Sequence, residues 1–248
     1  MTGFTRREIN LLIGLGLASL ATGTFGKGVF AGNGAKNPGK PVIDHIVWGV
    51  SELEEGRRIF ESLTGVASVS GGRSPGNTVS HNALASLGNG AYFEIFCPSV
   101  VMKSGPWLDA VRSDGKPKIV SFCLRVEDGF KALQKNIPAA GLKGSEPRAM
   151  GRVRPDGVEL KWKLLNISGS RMDSSLPFFI DWLGSRPHPA EDSPKGVLLK
   201  RFEVVHPDAG EVKRIFDALD IDIPVVTGDK PSFAAHLDTP KGSVVLKG

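Results

Sequence analysis

The chain has 248 residues, a formal net charge of +5, 40% hydrophobic residues and 23% charged residues. These values are typical of a globular protein with an ordinary core and argue against wholesale disorder. The small positive excess is spread along the chain and does not indicate nucleic-acid binding, because the close basic group Arg148, Arg152 and Arg154 is equally consistent with a solvated loop.

The two cysteines, Cys97 and Cys123, are too few for a disulfide scaffold or a four-cysteine zinc site. Each lies in a predicted strand beside a phenylalanine, which favours buried free thiols. In an exported protein, one disulfide between them is the alternative.

Residues 1–32 have the pattern of a targeting segment, and residues 33–41 have the composition of a linker. The segment Thr5–Leu12 resembles a twin-arginine export signal, and the apolar stretch Ile9–Ala21 is shorter than the ~20 residues that span a bilayer. Small residues before a cleavage point at Ala31 complete the pattern. The sequence therefore predicts twin-arginine export to the periplasm and no stable membrane span after cleavage, with an uncleaved N-terminal anchor as the alternative.

Residues 42–98 predict a complete strand–helix–three-strand unit. The apolar strand Ile43–Val50 is followed by Ser51 and Glu54, whose spacing is that of a helix capping box. Apolar residues at helical spacing then continue as far as Gly65, which ends the predicted helix.

The last two strands of this unit form a predicted hairpin. His81–Leu87 and Ala91–Cys97 are apolar runs separated by the turn sequence Gly88-Asn89-Gly90.

The same strand–helix opening occurs twice more. Ile119–Val126 and the helix after it repeat the first opening at an offset of 76 residues, and Arg214–Leu219 resembles Arg58–Leu63. Asp208 and Glu211 predict the start of the third helix. The pattern predicts three βαβββ units at about 42–98, 117–184 and 198–248, and three unrelated α+β segments are the alternative.

Short motifs follow one another in order along the chain. They are Asp44-His45-Ile46-Val47, Gly71-Gly72-Arg73, Asn82–Gly88, Ala91-Tyr92-Phe93-Glu94, Arg154-Pro155-Asp156-Gly157, Trp162, Pro177–Trp182 and His188-Pro189. With the repeated units, they resemble the glyoxalase-like domain family of the vicinal oxygen chelate superfamily. The resemblance implies an α+β fold of βαβββ units, with curved mixed sheets around a cavity and helices outside. It implies a paired domain over 42–190 and a further module over 191–248.

The resemblance implies that the cavity holds His45 of the first strand and Glu94 of the last. These side chains can hold a divalent metal such as Zn²⁺, Ni²⁺, Mn²⁺ or Fe²⁺, or act as an acid–base pair. His81 and His188 are candidates for further ligands. Asp181 is the only candidate for a second carboxylate, but strand parity places it on the opposite face from its apolar neighbours.

The remaining candidate ligand-binding residues surround this pair. Asn82 belongs to a family motif, and Arg73 and Arg154 can pair with an anionic substrate. Trp162, Phe178 and Trp182 can line an apolar pocket, although burial in the core explains them equally well.

Three hypotheses follow. The first is a glyoxalase-like enzyme that converts a small carbonyl or oxygen-rich molecule, with metal assistance as a lyase, isomerase or dioxygenase. The second is a metal-free protein of the same fold that sequesters a small ligand. The third is a structural module whose unpaired third unit forms a homodimer contact.

Overall fold

A computed structural model describes residues 39–71, 81–154 and 156–248. The predicted export segment and most of the predicted linker lie outside these residues, so both stay predictions. Within the described part of the chain, no helix has the length and apolar character needed to cross a membrane.

The described residues form fourteen strands and five helices. The strands are β1 (Val42–Gly49), β2 (Val69–Ser70), β3 (Asn82–Gly88), β4 (Ala91–Phe96), β5 (Lys118–Arg125), β6 (Lys143–Gly144), β7 (Arg148–Val153), β8 (Glu159–Leu165), β9 (Ile167–Ser168), β10 (Phe178–Asp181), β11 (Leu198–His206), β12 (Val225–Thr227), β13 (Ser232–Thr239) and β14 (Gly242–Lys247). The helices are α1 (Leu53–Thr64), α2 (Pro106–Arg112), α3 (Lys131–Ala139), α4 (Pro189–Asp192) and α5 (Ala209–Ala218).

Eight strands form one mixed sheet in the order β2-β3-β4-β1-β5-β10-β8-β7. Each half begins at the centre, where β1 and β5 pair antiparallel, and continues outward through a parallel pair, β1 with β4 or β5 with β10. The two halves therefore repeat one βαβββ arrangement about the β1–β5 pair. This confirms the predicted α+β fold of paired βαβββ units.

Local sequence explains the ends of the first unit. Gly65 closes α1 in the left-handed conformation with φ 76°, as predicted, and Asn89 and Gly90 both have positive φ in the β3–β4 hairpin. The predicted capping box is wrong: Glu52 is the N-cap residue, and no side chain caps the helix. Glu54 instead forms an ion pair with Arg57 one turn later.

The basic group near residue 150 is not a loop. Arg148 and Arg152 lie on β7, an edge strand of the eight-stranded sheet, and only Arg154 follows the strand. Alternation along β7 is weak because few of its residues are buried, so the apolar periodicity that reveals the other strands is missing.

The C-terminal segment has the predicted element order but a different strand arrangement. Its sheet runs β12-β11-β13-β14, so the strand after α5 returns parallel and directly beside β11. In the first two units the opening strand instead pairs within its unit with the last strand. The segment is therefore not a third copy of the same unit, and the division into 42–190 and 191–248 stays a prediction.

One face of the eight-stranded sheet forms the main core. Phe122 of β5 contacts Phe202 and Phe233 of the second sheet, with ring centroids 5.0 and 5.6 Å apart. Helices α1, α3 and α5 add Phe60, Leu133 and other apolar side chains to this core. With the outer face covered in this way, the inner face is left for a site.

Candidate functional site

A β-bulge at the start of β1 brings two neighbouring polar side chains together. The pairing between β1 and β5 shifts between Ile43 and His45, so that Asp44 and His45 both lie opposite Cys123. Regular alternation would send adjacent side chains to opposite faces. The bulge instead allows Asp44 and His45 to bond to each other at the inner face.

Asp44 is fully buried and accepts hydrogen bonds from four side chains. Its Oδ1 lies 2.7 Å from His45 Nδ1, and its Oδ2 lies 2.9 Å from His188 Nε2. The Trp182 indole donates to Oδ2 at 3.0 Å and the Arg125 guanidinium at 3.2 Å. Burial alone would raise the pKa of Asp44, but the hydrogen bonds from His188 and His45 outweigh burial and hold the pKa well below its usual range.

The ionised Asp44 determines which nitrogen of His45 carries the proton. A carboxylate can only accept, so Nδ1–H donates to Asp44, and the neutral ring keeps a lone pair on Nε2. Nε2 lies 3.7 Å from Glu94 Oε2. Glu94 is itself oriented by Asn82, whose amide donates to Oε1 at 2.5 Å. The chain Asp44–His45–Glu94–Asn82 thus presents a basic nitrogen and a carboxylate side by side.

Aromatic rings surround this chain. Tyr92 stacks on the His45 ring at 4.7 Å, and Phe178 meets its edge at 5.5 Å. Trp107 of α2 bridges Phe178 and Phe96, at 5.9 and 5.8 Å respectively. Packing by Tyr92 and Phe178 restricts the orientation of the imidazole, and the aromatic rings make the site suitable for an apolar substituent.

The second half of the sheet supplies no matching acid–base pair. In the parallel β1–β4 pair, Tyr92 lies opposite His45, and in the parallel β5–β10 pair, Phe178 lies opposite Cys123. Phe178 therefore corresponds to Tyr92, and Ile180, two residues further along, corresponds to Glu94. Asp181 accepts from the backbone N–H groups of Gly129 and Leu183, away from this face, as strand parity indicates.

A possible metal site lies at the bulge. Within the described residues, Asp44, His45 and Cys123 are the group of three whose candidate ligand atoms all lie within 4.8 Å of one another. Two observations argue against this set as ligands. Both Asp44 oxygens already accept strong hydrogen bonds, and burial, with the negative charges of Asp44 and Glu94, raises the pKa of the Cys123 thiol.

The predicted pair fits a metal better but is incomplete. Ligand atoms about 2.0–2.2 Å from a shared ion lie up to about 4 Å apart, so the 3.7 Å between His45 Nε2 and Glu94 Oε2 permits one. Asp44 would then orient the imidazole, as carboxylates commonly do for metal-binding histidines. A tight site needs a third protein ligand, and the described residues bring none within the same reach.

A cavity of about 190 Å³ lies between β2 and β7, the two edge strands of the curved sheet. It is lined by Val69, Ser70, Gly71, Leu84, Arg152, Arg154, Asp156, Pro189, Asp192 and Ser193. Leu84 lies directly opposite Glu94 in the β3–β4 pair, so the cavity wall and Glu94 share one face of the sheet.

The sequence-predicted site residues divide into three groups. His45, Glu94, Asn82 and Phe178 meet on the inner face, and His81 lies nearby with its ring against Phe96.

Trp182 and His188 lie behind the site and hold Asp44, and Trp162 packs on Trp182 at 5.3 Å. Arg154 lines the cavity but is paired with Asp156 and Asp192.

Arg73 lies outside the described residues. For all of these residues, ligand binding stays a prediction.

Sequence reasoning did not single out Asp44, Trp107 or Arg152 as site residues. A charged Asp44 within an apolar strand was the available signal, since a buried carboxylate needs strong partners. No comparable signal marked Trp107 or Arg152, because their roles depend on how α2 and the edge strand β7 pack.

The paired βαβββ halves and the polar inner face define a protein of the vicinal oxygen chelate class. The chain belongs to the family described as Glyoxalase-like domain, whose match covers residues 43–219. No curated protein gives a significant sequence match.

Three solved structures are similar to this chain, and the first of them supports the fold. A hypothetical protein from Staphylococcus aureus has 18% identity and a TM-score of 0.56 over 83% of this chain and 84% of that one. The Mn(II)-bound glyoxalase from Novosphingobium aromaticivorans has 11% identity and a TM-score of 0.43, covering 83% and 80% of the two chains. Homoprotocatechuate 2,3-dioxygenase from Arthrobacter globiformis has 10% identity and a TM-score of 0.47, covering 85% and 80%.

Proposed function

We propose that this chain is a glyoxalase-like enzyme that moves a proton on a small carbonyl compound bound at the inner face. One observation carries the proposal: His45 Nδ1 bonds to the buried Asp44 while Nε2 faces Glu94 at 3.7 Å. A neutral imidazole fixed in this tautomer by a carboxylate is prepared to accept a proton at Nε2.

The reaction that these groups support is proton abstraction next to a carbonyl. Nε2 of His45 takes the proton from carbon, and the electron pair of the broken C–H bond forms an enolate. The resulting imidazolium is stabilised by Asp44 across the 2.7 Å hydrogen bond. Return of the proton to the same carbon regenerates the compound. When that carbon carries a hydroxyl group, the hydroxyl proton moves to the enolate oxygen, and return of the other proton to the neighbouring carbon gives the isomeric hydroxycarbonyl compound.

Glu94 gives this site a second base or a metal ligand. Its carboxylate is held by Asn82, so it remains beside Nε2 during the transfer. A divalent metal held by His45 and Glu94 would polarise the carbonyl oxygen of the compound, and it would take the lone pair of Nε2, so His45 would then be a ligand and not the base.

Deuterium exchange tests the proposal directly. In D₂O, the purified protein should exchange protons next to the carbonyl of dihydroxyacetone or of 4-phenyl-2-oxobutanoate, as measured by NMR. His45→Gln should lower the exchange rate about 10²- to 10⁴-fold, the usual contribution of a positioned base. Metal content, measured for the wild type and for His45→Ala, tells whether a metal takes part.

The chain offers a matched control. His236 lies 3.5 Å from Glu203 on the second sheet, which makes a similar histidine–carboxylate pair outside the cavity. His236→Gln should exchange at the wild-type rate. Equal losses in both variants, or no exchange by the wild type, would contradict the enzyme proposal. Binding without exchange would favour the alternative, a small-molecule binding protein.

A further inference from the structure

Arg152 is a cation without a carboxylate partner at the cavity. Among the residues that the structure describes, no Asp or Glu lies within ion-pair distance of it, and its Nε is buried without a hydrogen-bond partner. Arg154, two residues later, is compensated by Asp156 and Asp192. The cavity lining therefore holds two arginines and two aspartates. Because both aspartates pair with Arg154, Arg152 is left as the arginine without a carboxylate partner. A buried donor without a partner costs free energy that a bound acceptor would recover.

The position of Arg152 connects this charge to the acid–base pair. Arg152 lies directly opposite Leu160 in the β7–β8 pair, and Leu160 is fully buried in the inner-face cluster with Tyr92. Cross-strand partners share a face, so the Arg152 side chain lies on the inner face. Tyr92 in turn stacks on His45.

His81 adds a second unpartnered group to the same region. Its Nδ1 is buried without a hydrogen-bond partner, and its ring lies against Phe96 in the aromatic wall. Burial lowers the pKa of His81, the negative charge of Glu94 raises it, and the positive charge of Arg152 lowers it. The His81 ring is therefore within electrostatic range of both charged groups. The contact with Phe96 thus places His81 on the inner face, which also carries Glu94 and Arg152.

We propose that Arg152 and His81 bind the carboxylate of an anionic carbonyl substrate, whose reacting carbon then lies at His45. This inference rests on the proposed function and names its substrate class. A single guanidinium without a carboxylate partner matches a single negative charge, which favours a carboxylate over a phosphate monoester. The aromatic wall of Phe96, Trp107 and Phe178 suits an apolar substituent on the same molecule.

Binding of matched probes tests the proposal. Isothermal titration of 4-phenyl-2-oxobutanoate and its methyl ester compares molecules that differ in the negative charge. The wild type should bind the acid about 10- to 100-fold more tightly than the ester, because a charge-assisted hydrogen bond is lost in the ester. Arg152→Gln should reduce this ratio to about one, and Arg152→Lys, which keeps the charge, should retain part of it.

Arg148→Gln is the matched control, since Arg148 is exposed on the same strand and its loss changes the net charge equally. It should leave the acid-to-ester ratio unchanged. A ratio near one in the wild type, or the same decrease in the Arg148 and Arg152 variants, would overturn the anion site. Tighter binding of dihydroxyacetone phosphate than of the acid would overturn the assignment to a carboxylate.

The two proposals fail separately. Loss of proton exchange in His45→Gln with an unchanged ratio in Arg152→Gln would refute the anion site alone. A ratio that depends on Arg152 without any proton exchange would refute the proposed reaction and leave a carboxylate-binding protein.

Discussion

Replacing Asp44 by Asn should strongly destabilise the protein. The side chain keeps its volume, so no cavity forms, but one of the two acceptor oxygens becomes an NH₂ group. Oδ2 accepts from His188, Trp182 and Arg125, and Oδ1 accepts from His45. With its NH₂ turned toward His188, Trp182 and Arg125, the amide meets N–H donors. With its NH₂ turned toward His45, it forces the imidazole proton from Nδ1 to Nε2.

The size of the loss follows from the buried charge that remains. The Arg125 side chain is 19% exposed, and without Asp44 it loses its buried carboxylate partner. Breaking a buried ion pair by removing one partner costs about 3–5 kcal/mol. We therefore expect the free energy of unfolding, measured by urea titration, to decrease by about 3–5 kcal/mol in Asp44→Asn. Asp114→Asn, which removes an exposed partner of Lys118, should cost less than about 1 kcal/mol.

The pH dependence gives an independent check on the same residue. Because folding lowers the pKa of Asp44, its ionised form stabilises the folded state fully above its ordinary pKa of 3.8. This contribution decreases as the pH falls below that value, toward the lowered pKa. The difference between the wild type and Asp44→Asn should therefore be constant from about pH 5 to 7 and become smaller near pH 3. A difference in the free energy of unfolding below about 1 kcal/mol at pH 7 would refute the stabilising role of the buried Asp44 carboxylate.

Two further predictions concern the close contact between Gly71 and the Asn82 side chain and the reactivity of the two thiols. A Cβ at Gly71 would lie 2.2 Å from Asn82 Oδ1, so Gly71→Ala should displace the amide that holds Glu94 and lower proton exchange at least tenfold. Gly210→Ala, at an open position, is its control, and equal exchange in both would contradict this role of Asn82. Cys97 and Cys123 are buried free thiols, so neither should react with a thiol reagent until the protein is unfolded. Rapid labelling of either in the folded protein would contradict their burial.

The paired fold was predictable because both halves carry strong local signals. Gly65 and the Asn89-Gly90 turn mark an end and a hairpin through backbone conformation alone, and the apolar openings of β1 and β5 repeat. Strand order in the C-terminal segment was not predictable in this way. The same element order fits two pairings of the strands, and the structure has the one in which β12 lies beside β11.

The site was predictable where it depends on strand parity and not where it depends on a bulge. Glu94 and Asn82 reach each other from adjacent strands with regular pleating. Asp44 was assigned to the strand but not to the site, because regular alternation would separate it from His45. One extra residue opposite Cys123 reverses that conclusion, and periodicity does not reveal such a residue.

The two halves of the sheet supply different residues to the site. The first half supplies His45 and Glu94, while the corresponding positions of the second half hold Cys123 and Ile180, which cannot replace them. The second half instead provides Arg125 and Trp182, both of which donate to Asp44. It also provides Arg152, the arginine at the cavity whose Nε has no hydrogen-bond partner. Asp44 belongs to the first half but is held by the second, so the basicity of His45 depends on correct association of the two halves. Weakening that association at the core residue Phe122 should therefore reduce proton exchange even though Phe122 lies on the opposite face of the sheet.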